Sequence, residues 1–270
     1  MVPTDARVQV ADGVFLHVRR WPGDQRPFLL VHGLSSNARL WDGVAAELSA
    51  AGHPVHAVDL RSHGDSDAPP DGYDTATAAD DLAALGLTGT IAAGQSWGGN
   101  VVVTLAAKHP EVVAALALVD GGWFDPAREF SSWPAAERAL RPPDIDGRPA
   151  EELRRYLTQA HQDWSAEAVE ATLYNMRIGP EGTVTRRLPV DRHMQIVRSM
   201  WEDPPHRYYG SVPVPVLLMP AGRTARARQA AAALADATLR EYPGADHDLH
   251  AQRPGEVAAD LLELARRVDP

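Results

Sequence analysis

Short apolar segments alternate with segments of helical periodicity along most of this 270-residue chain. Residues 28–31 are wholly apolar, as expected of a strand buried on both faces of a sheet. The other strand patterns lie at residues 7–10, 14–18, 55–59, 90–93, 113–119, 214–219 and 238–242. Strands that alternate with helices imply right-handed crossovers and a mostly parallel sheet. The sequence therefore predicts an α/β fold with an eight-stranded sheet flanked by helices, the first two strands forming a hairpin.

The alternation is interrupted once, from residue 121 to residue 211. This segment is rich in proline, arginine and tryptophan, and its helical patches lie near residues 134–140, 150–161, 166–176 and 190–201. Long insertions in compact domains are usually lids or binding elements. We therefore expect a mainly helical cap at residues 121–211 on a single α/β core formed by residues 1–120 and 212–270.

Composition excludes several classes of function. The chain has no cysteine, which rules out disulfides, a thiolate nucleophile, Cys-ligated zinc and iron–sulfur clusters. Its net charge of −10 argues against nucleic-acid and anionic-membrane partners. The first residues lack the apolar core of a signal peptide, and the apolar run 112–119 is too short to span a bilayer. We expect a cytoplasmic protein, and the sequence leaves its oligomeric state open.

The segment Gly94-Gln95-Ser96-Trp97-Gly98 matches the pattern G-x-S-x-G. The match lies between a predicted strand and a predicted helix, so Ser96 is expected on a tight turn above the carboxyl edge of the sheet. A Ser/Gly-rich loop matches the same pattern by chance, but not usually in this strand–turn–helix order. We therefore interpret Ser96 as a nucleophile.

A serine nucleophile requires backbone donors for the oxyanion of its tetrahedral intermediate. One expected donor is the N–H of Trp97, directly after Ser96. The second is the N–H of Leu34, because the loop His32-Gly33-Leu34 follows the third predicted strand and Gly33 allows a close approach. The alternative is an ordinary polar loop after a strand. We expect His32 to stabilise this loop and not to act as a catalytic base.

These features together resemble the α/β-hydrolase superfamily over nearly the whole chain. The segment from Asp59 to Ser66, DLRSHGDS, is similar to the D-x-R-G-x-G-x-S segment of that family, with Ser62 in place of the first glycine. The resemblance implies a structural role for this segment. It also favours His247 as the catalytic base, because residues 244–247 resemble the G-x-x-H loop of the family; His250 is the alternative.

The acid of the expected triad is missing from the place where many relatives carry it. Residues 214–226, which contain the predicted strand and the start of the following helix, include no carboxylate. Asp120 is the best substitute, because it ends the strand after the helix of Ser96 and keeps the order Ser–Asp–His. The alternative is that Asp120 only binds amides in its Asp-Gly-Gly turn. Asp246 and Asp248 adjoin His247, where side chains rarely reach the inner ring nitrogen.

Cofactors and metals have little support in the sequence. The pair His53 and His56 lacks the spacing of an H-E-x-x-H helix, and the chain contains neither G-x-G-x-x-G nor a P-loop. We therefore expect no cofactor and no metal in the reaction.

The sequence predicts a serine hydrolase that acts on a small, apolar carboxylic ester or lactone. The aromatic and methionine side chains of the cap indicate an apolar pocket, with Trp123 as a substrate contact because it adjoins Asp120. The same residues in relatives serve carbon–carbon bond hydrolysis, thioester cleavage, perhydrolysis or natural-product cyclisation. A ligand receptor on the hydrolase fold is the non-enzymatic alternative.

Overall fold

A computed structural model describes residues 2–222 and 224–269, which contain one large sheet and one small one. The strands are β1 (Thr4–Ala11), β2 (Val14–Trp21), β3 (Phe28–Val31), β4 (Val55–Val58), β5 (Thr90–Gln95), β6 (Val113–Val119), β7 (Met176–Ile178), β8 (Val184–Arg186), β9 (Val216–Met219) and β10 (Ala237–Leu239). The large sheet has the order β1-β2-β4-β3-β5-β6-β9-β10. Strand β2 pairs antiparallel with both its neighbours, and the other pairs are parallel. The predicted mostly parallel, eight-stranded sheet is confirmed.

Helices flank this sheet and also form most of the segment between β6 and β9. The α-helices are α1 (Asp42–Ala50), α2 (Thr75–Ala83), α3 (Trp97–Lys108), α4 (Pro126–Glu129), α5 (Trp133–Leu140), α6 (Ala150–Ala160), α7 (Ala166–Leu173), α8 (Val190–Glu202), α9 (Thr224–Ala233), α10 (Leu249–Gln252) and α11 (Pro254–Val268). Short 3₁₀ helices occupy Ala38–Trp41, Pro110–Val112, Pro205–Arg207 and Tyr209–Ser211. We call residues 121–211, which contain α4–α8 and the antiparallel pair β7–β8, the insert.

The central strands separate two apolar cores, which explains why they lack polar alternation. In β3, Leu29 and Val31 pack into the core that contains α2 and α3. Phe28 and Leu30 pack into the opposite core, with α1 and α11. All four side chains are fully buried. A strand covered by helices on both faces must be apolar at every position, and residues 28–31 satisfy this requirement.

The structure adds two details to the sequence-based expectation. Helix α2 begins at Thr75, because the Asp74 carboxylate accepts a hydrogen bond from the Thr77 N–H at 2.8 Å and caps the helix. The pair β7–β8 was not expected, since strands of three residues are too short to show a period of two. No helix in residues 2–222 or 224–269 has the length and apolar character needed to cross a bilayer.

The register of the sheet brings three loops together at one edge. Strand β5 lies between β3 and β6, with Gly94 opposite Val31 and Gln95 opposite Val119. The loop that begins at His32 and the turn that begins at Asp120 therefore lie on either side of Ser96. This is the edge at which ligands bind in open α/β sheets.

Candidate active site

Ser96 occupies a strained turn between β5 and α3. Its φ of 51° and ψ of −121° lie outside the conformations that side chains favour, and its N–H donates to the carbonyl of Val119 at 3.1 Å. Surrounding glycines make this turn possible. A Cβ on Gly94 would lie 2.2 Å from the Gly98 carbonyl oxygen. A Cβ on Gly121 would lie 2.1 Å from the Ser96 carbonyl oxygen. Close backbone packing thus holds Ser96 in place.

Asp120 and His247 meet directly beside this turn. The Nδ1–H of His247 donates to Oδ2 of Asp120 at 2.6 Å, and the Ala221 N–H donates to Oδ1 at 3.0 Å. Asp120 thus contacts the inner nitrogen of the imidazole, as a triad acid must. Within the described part of the chain, no hydrogen bond joins the Ser96 hydroxyl to His247. Such contacts are often long in unliganded enzymes.

The neighbours of His247 determine its proton affinity. Burial lowers the pKa of His247, but the hydrogen bond to Asp120 and the charges of Asp248 and Asp120 outweigh burial and raise it above its ordinary value. The rival His250 is fully buried against Trp41, with 4.3 Å between the ring centroids. Burial, with a smaller contribution from nearby histidines, lowers the pKa of His250 to about 3, so its ring stays neutral. Of the two histidines, it is His247 that lines the cavity described below.

The predicted oxyanion loop packs closely against Ser96. A Cβ on Gly33 would lie 2.9 Å from the Ser96 Cβ, so only glycine allows this approach. In residues 2–222 and 224–269, neither the Leu34 N–H nor the Trp97 N–H donates a hydrogen bond to another group of the protein. Both donors thus remain available for a ligand oxygen. The structure therefore places the loop of Leu34 against Ser96, and Trp97 follows Ser96 directly in the chain.

Two buried histidines support this loop, and the sequence pointed to only one of them. His32 donates from Nδ1 to the Gly33 carbonyl at 2.7 Å and accepts at Nε2 from the Leu60 N–H at 3.0 Å. His63, which sequence reasoning missed, accepts from the Ser35 N–H at 3.2 Å. Burial lowers the pKa of His32 below its ordinary value. Burial and the nearby His32 lower the pKa of His63 to about 3, so both rings are neutral. Each neutral imidazole accepts one backbone hydrogen bond and donates another.

The segment from Asp59 to Ser66, which resembles the family pattern, carries a serine where the family usually has a glycine. Ser62, which replaces the usual glycine, has a φ of 62°, in the left-handed region that favours glycine. Its hydroxyl accepts a hydrogen bond from Arg192 of the insert at 3.0 Å. The substitution therefore keeps the glycine-like backbone and adds a contact to the insert.

A cavity of about 840 Å³ adjoins the three predicted triad residues. Its remaining lining is mainly apolar and comes from Trp97, Trp123, Phe124, Met200, Ala221, Thr224, Ala225 and Arg226. Trp123 lies in this lining, beside Asp120, as the sequence suggested. Arg226 also forms an ion pair with Glu129 of the insert. Core and insert thus both form the walls.

One cluster of metal-ligand type occurs in the described residues, formed by His17, Asp59 and Asp65. Its central carboxylate is already occupied. Asp59 accepts hydrogen bonds from His17 at 2.8 Å, from the Ala38 N–H at 2.7 Å and from the Asp65 N–H at 3.0 Å. These contacts join β2, the loop after β3 and the loop after β4. The cluster therefore has the character of a structural network.

A mostly parallel eight-stranded sheet with a serine on the tight turn between β5 and α3 is the arrangement typical of α/β-hydrolases. The model of the alpha/beta hydrolase family matches residues 28–260. The chain therefore belongs to the alpha/beta hydrolase family, and the resemblance inferred from its motifs is confirmed.

Individual relatives are similar to this chain over different lengths. AB hydrolase superfamily protein YisY from Bacillus subtilis is 35% identical over 129 residues, which cover 46% of this chain and 47% of that protein, slightly less than half of each. 2-(Acetamidomethylene)succinate hydrolase from Mesorhizobium japonicum is 28% identical over 253 residues, 89% of this chain and 88% of that protein. The crystal structure of E-2-(acetamidomethylene)succinate hydrolase aligns with a TM-score of 0.80 and 24% identity over 99% of this chain and 100% of that one. At that identity the structural likeness establishes the fold alone.

Proposed function

We propose that the protein is a serine hydrolase that cleaves a carboxylic ester or lactone through an acyl-enzyme. His247 removes the proton of the Ser96 hydroxyl as its oxygen attacks the acyl carbon. The tetrahedral oxyanion binds the N–H groups of Leu34 and Trp97. His247 then donates the proton to the leaving alkoxide as its bond to the acyl carbon breaks. Water, deprotonated by the same imidazole, then attacks the acyl carbon. As the bond between the acyl carbon and Ser96 Oγ breaks, the imidazolium returns the proton to that oxygen and the acid is released.

The observation that carries this proposal is the hydrogen bond between Asp120 and His247 beside the strained Ser96. This bond fixes the tautomer with a proton on Nδ1 and leaves Nε2 unprotonated, as a general base requires. The acid also stabilises the imidazolium that forms during attack. The hydrogen bond to Asp120 also raises the pKa of His247, which favours the protonated imidazole that forms as Ser96 attacks.

The character of the cavity favours an apolar acyl group. Trp97, Trp123, Phe124 and Met200 supply broad apolar surfaces, and methionine adapts to ligands of irregular shape. The volume of about 840 Å³ is in the range of pockets for small molecules. We therefore propose a small or medium apolar acyl substrate, with no cofactor and no metal in the reaction.

The first experiment is labelling by a fluorophosphonate, with the modified peptide identified by mass spectrometry. We expect a covalent adduct on Ser96 and none in the folded Ser96→Ala variant. A panel of p-nitrophenyl esters and lactones then measures turnover. A folded wild-type protein that is not labelled at Ser96 would contradict the proposal.

Related reactions of the same triad are separated by their products. Thioesters, β-diketones and esters with added hydrogen peroxide test thioester cleavage, carbon–carbon hydrolysis and perhydrolysis, and a linear hydroxy-ester tests cyclisation. We expect the highest kcat/KM with simple esters or lactones. Tight binding of a ligand without turnover of any substrate would instead favour a receptor.

A further inference from the structure

Among the described residues, backbone hydrogen bonds hold both ends of the loop that carries His247, residues 243–248, but none involves His247 itself. Ala245 donates to the carbonyl of Tyr242 at 3.2 Å, and the carbonyl of Asp248 accepts from two N–H groups of α10 at 2.9 and 3.1 Å. Within the part of the chain that the structure describes, the N–H groups of His247 and Asp248 donate no hydrogen bond. From the core side, buried Gln95 donates from Nε2 to the carbonyl of His247 at 3.2 Å. Side-chain contacts to the middle of this loop therefore contribute to the position of the imidazole.

The insert supplies such contacts from the connection between α6 and α7. Trp164 donates from Nε1 to Oδ2 of Asp246 at 2.9 Å, and His161 donates from Nδ1 to the same oxygen at 3.1 Å. The rings of His161 and Trp164 pack at an angle of 33°, with centroids 4.1 Å apart. Two residues of the insert thus bind the carboxylate that directly precedes His247.

Gln252 forms a second connection between the insert and the loop of His247. Gln252, in α10, accepts from the Asp246 N–H at 2.7 Å and donates from Nε2 to Asp163 of the insert at 2.6 Å. We call this set of residues the clasp: His161, Asp163 and Trp164 of the insert, with Asp246 and Gln252 of the core. It binds both the backbone and the side chain of Asp246.

We propose that the clasp positions His247, so that a docked insert holds the base in place for catalysis. The inference rests on the proposed function, because it assigns His247 the role of base. Trp164, His161 and Asp246 are positioning residues that act through the loop. The side chains of His161 and Asp246 are 27% and 39% exposed, so their pairing adds little to global stability. A misplacement of a catalytic group by about 1 Å is nevertheless enough to cost on the order of 100-fold in rate.

The test compares two conservative variants that each remove one hydrogen-bond donor from the insert. Trp164→Phe removes the donor to Asp246 and retains an aromatic ring. Tyr174→Phe is the matched control, because the Tyr174 hydroxyl donates to Asp65 at 2.5 Å, a contact between insert and core that does not involve the histidine loop. Both variants are measured for kcat, KM, melting temperature and the rate of fluorophosphonate labelling.

We expect Trp164→Phe to lower kcat and the labelling rate by about 5- to 30-fold, with KM within about twofold of wild type. Tyr174→Phe should leave kcat within about twofold. The ionisable groups around His247 are Asp120, Asp248, Asp246, His161, His250 and, across the cavity, Arg226. Since Trp164→Phe changes none of these charges, the acid limb of the pH–rate profile should keep its midpoint. A loss of rate with an unchanged midpoint distinguishes positioning from electrostatics.

A double-mutant cycle with Asp246→Ala tests whether the effect passes through this carboxylate. At the pH plateau, Trp164→Phe should cause little further loss once Asp246 is alanine. If the losses of kcat in Trp164→Phe and Asp246→Ala add up in the double variant, the proposed role of the clasp is wrong. Equal kcat for Trp164→Phe and Tyr174→Phe would also overturn it. Failure of the wild-type protein to be labelled would instead contradict the proposed function, so the two outcomes are distinguishable.

Discussion

Oδ2 of Asp120 lies 2.6 Å from Nδ1 of His247, although 127 positions separate the two residues in the chain. The order of the sheet explains this proximity. Asp120 follows β6, which pairs with β9, and its N–H donates to the Met219 carbonyl at 3.0 Å. The loop after β9, which has no carboxylate of its own, contributes the Ala221 N–H to the other oxygen of Asp120. The later loop thus orients an acid carried by the earlier strand.

We expect Asp120→Asn to lower kcat by about three to four orders of magnitude. The amide retains the size of the carboxylate but favours the wrong imidazole tautomer and does not stabilise the imidazolium. Labelling of Ser96 by fluorophosphonate should remain detectable but become slow. Steady-state kinetics and timed mass spectrometry on the folded variant measure both effects.

The matched control for this variant is Asp248→Asn, which neutralises another carboxylate close to His247. Asp248 forms no hydrogen bond with the His247 ring in the described residues, so this variant should retain most of the wild-type kcat. Near-normal turnover in folded Asp120→Asn, or equal losses in both variants, would show that Asp120 is not the triad acid.

The pH–rate profile provides a second test. The base must be unprotonated, so activity falls as the pH drops through the pKa of His247, which is raised above its ordinary value. Removing the negative charge of Asp248 removes one of the causes of this increase. We therefore expect Asp248→Asn to move the acid limb of kcat/KM to lower pH. The control is Asp12→Asn, because Asp12 is exposed, and this variant should leave the acid limb of kcat/KM in place. A shift of the limb toward higher pH in Asp248→Asn would contradict the role of the Asp248 charge.

Sequence patterns predicted the elements whose burial can be read within a single short segment of the chain. The bounds of β3 and β6 agree with the sequence-based ranges, because the apolar character of a strand buried on both faces is visible within each segment. The hydrogen bond between Trp164 and Asp246 joins residues that are 82 positions apart in the chain. The hydrogen bond between Gln95 and His247 joins residues that are 152 positions apart. No periodicity encodes such pairs, because they depend on how the insert and loops pack. Sequence reasoning therefore singled out His247 as a candidate base, which stays a prediction, but it did not find the residues that hold its loop.

Gly121 tests how strictly the backbone determines the position of Ser96. A Cβ at this position would lie 2.1 Å from the Ser96 carbonyl oxygen and 2.4 Å from its nitrogen. Neither backbone atom moves without displacing the turn. We expect Gly121→Ala to destabilise the protein by several kcal/mol and to slow labelling of Ser96 at temperatures where the variant is folded.

Gly210→Ala is the control for this variant, since nothing lies within 4 Å of a Cβ built at Gly210. Its free energy of unfolding should stay within about 0.5 kcal/mol of wild type. Urea unfolding and fluorophosphonate labelling measure both variants. Wild-type stability and labelling in Gly121→Ala would mean that the turn relaxes more easily than the backbone contacts indicate.

The buried pair His17 and Asp59 makes stability depend on pH. Burial alone raises the pKa of Asp59, but its hydrogen bonds with His17 and backbone amides lower it to about 2. Burial lowers the pKa of His17, but the hydrogen bond and charge of Asp59 raise it above its usual 6.5. The contribution of Asp59 is present above its unfolded pKa and is lost as the pH falls through the folded value. The contribution of His17 is fully present below its unfolded pKa and is lost as the pH rises through the folded one.

Both contributions to stability are present between about pH 4 and pH 6.5, so Asp59→Asn should lower the free energy of unfolding most in this range. Within this window we expect a loss on the order of 2 kcal/mol or more in the free energy of unfolding. The difference from wild type should shrink toward both lower and higher pH, because one partner of the pair then loses its charge. Urea unfolding at about pH 3.5, 5.5 and 8.5 measures this dependence. Asp236→Asn, in an exposed pair with Arg267 whose cation does not titrate, should cost less than about 1 kcal/mol and show no decline toward high pH. A loss in Asp59→Asn that stays constant over the whole range would contradict the assignment of opposite charges to His17 and Asp59.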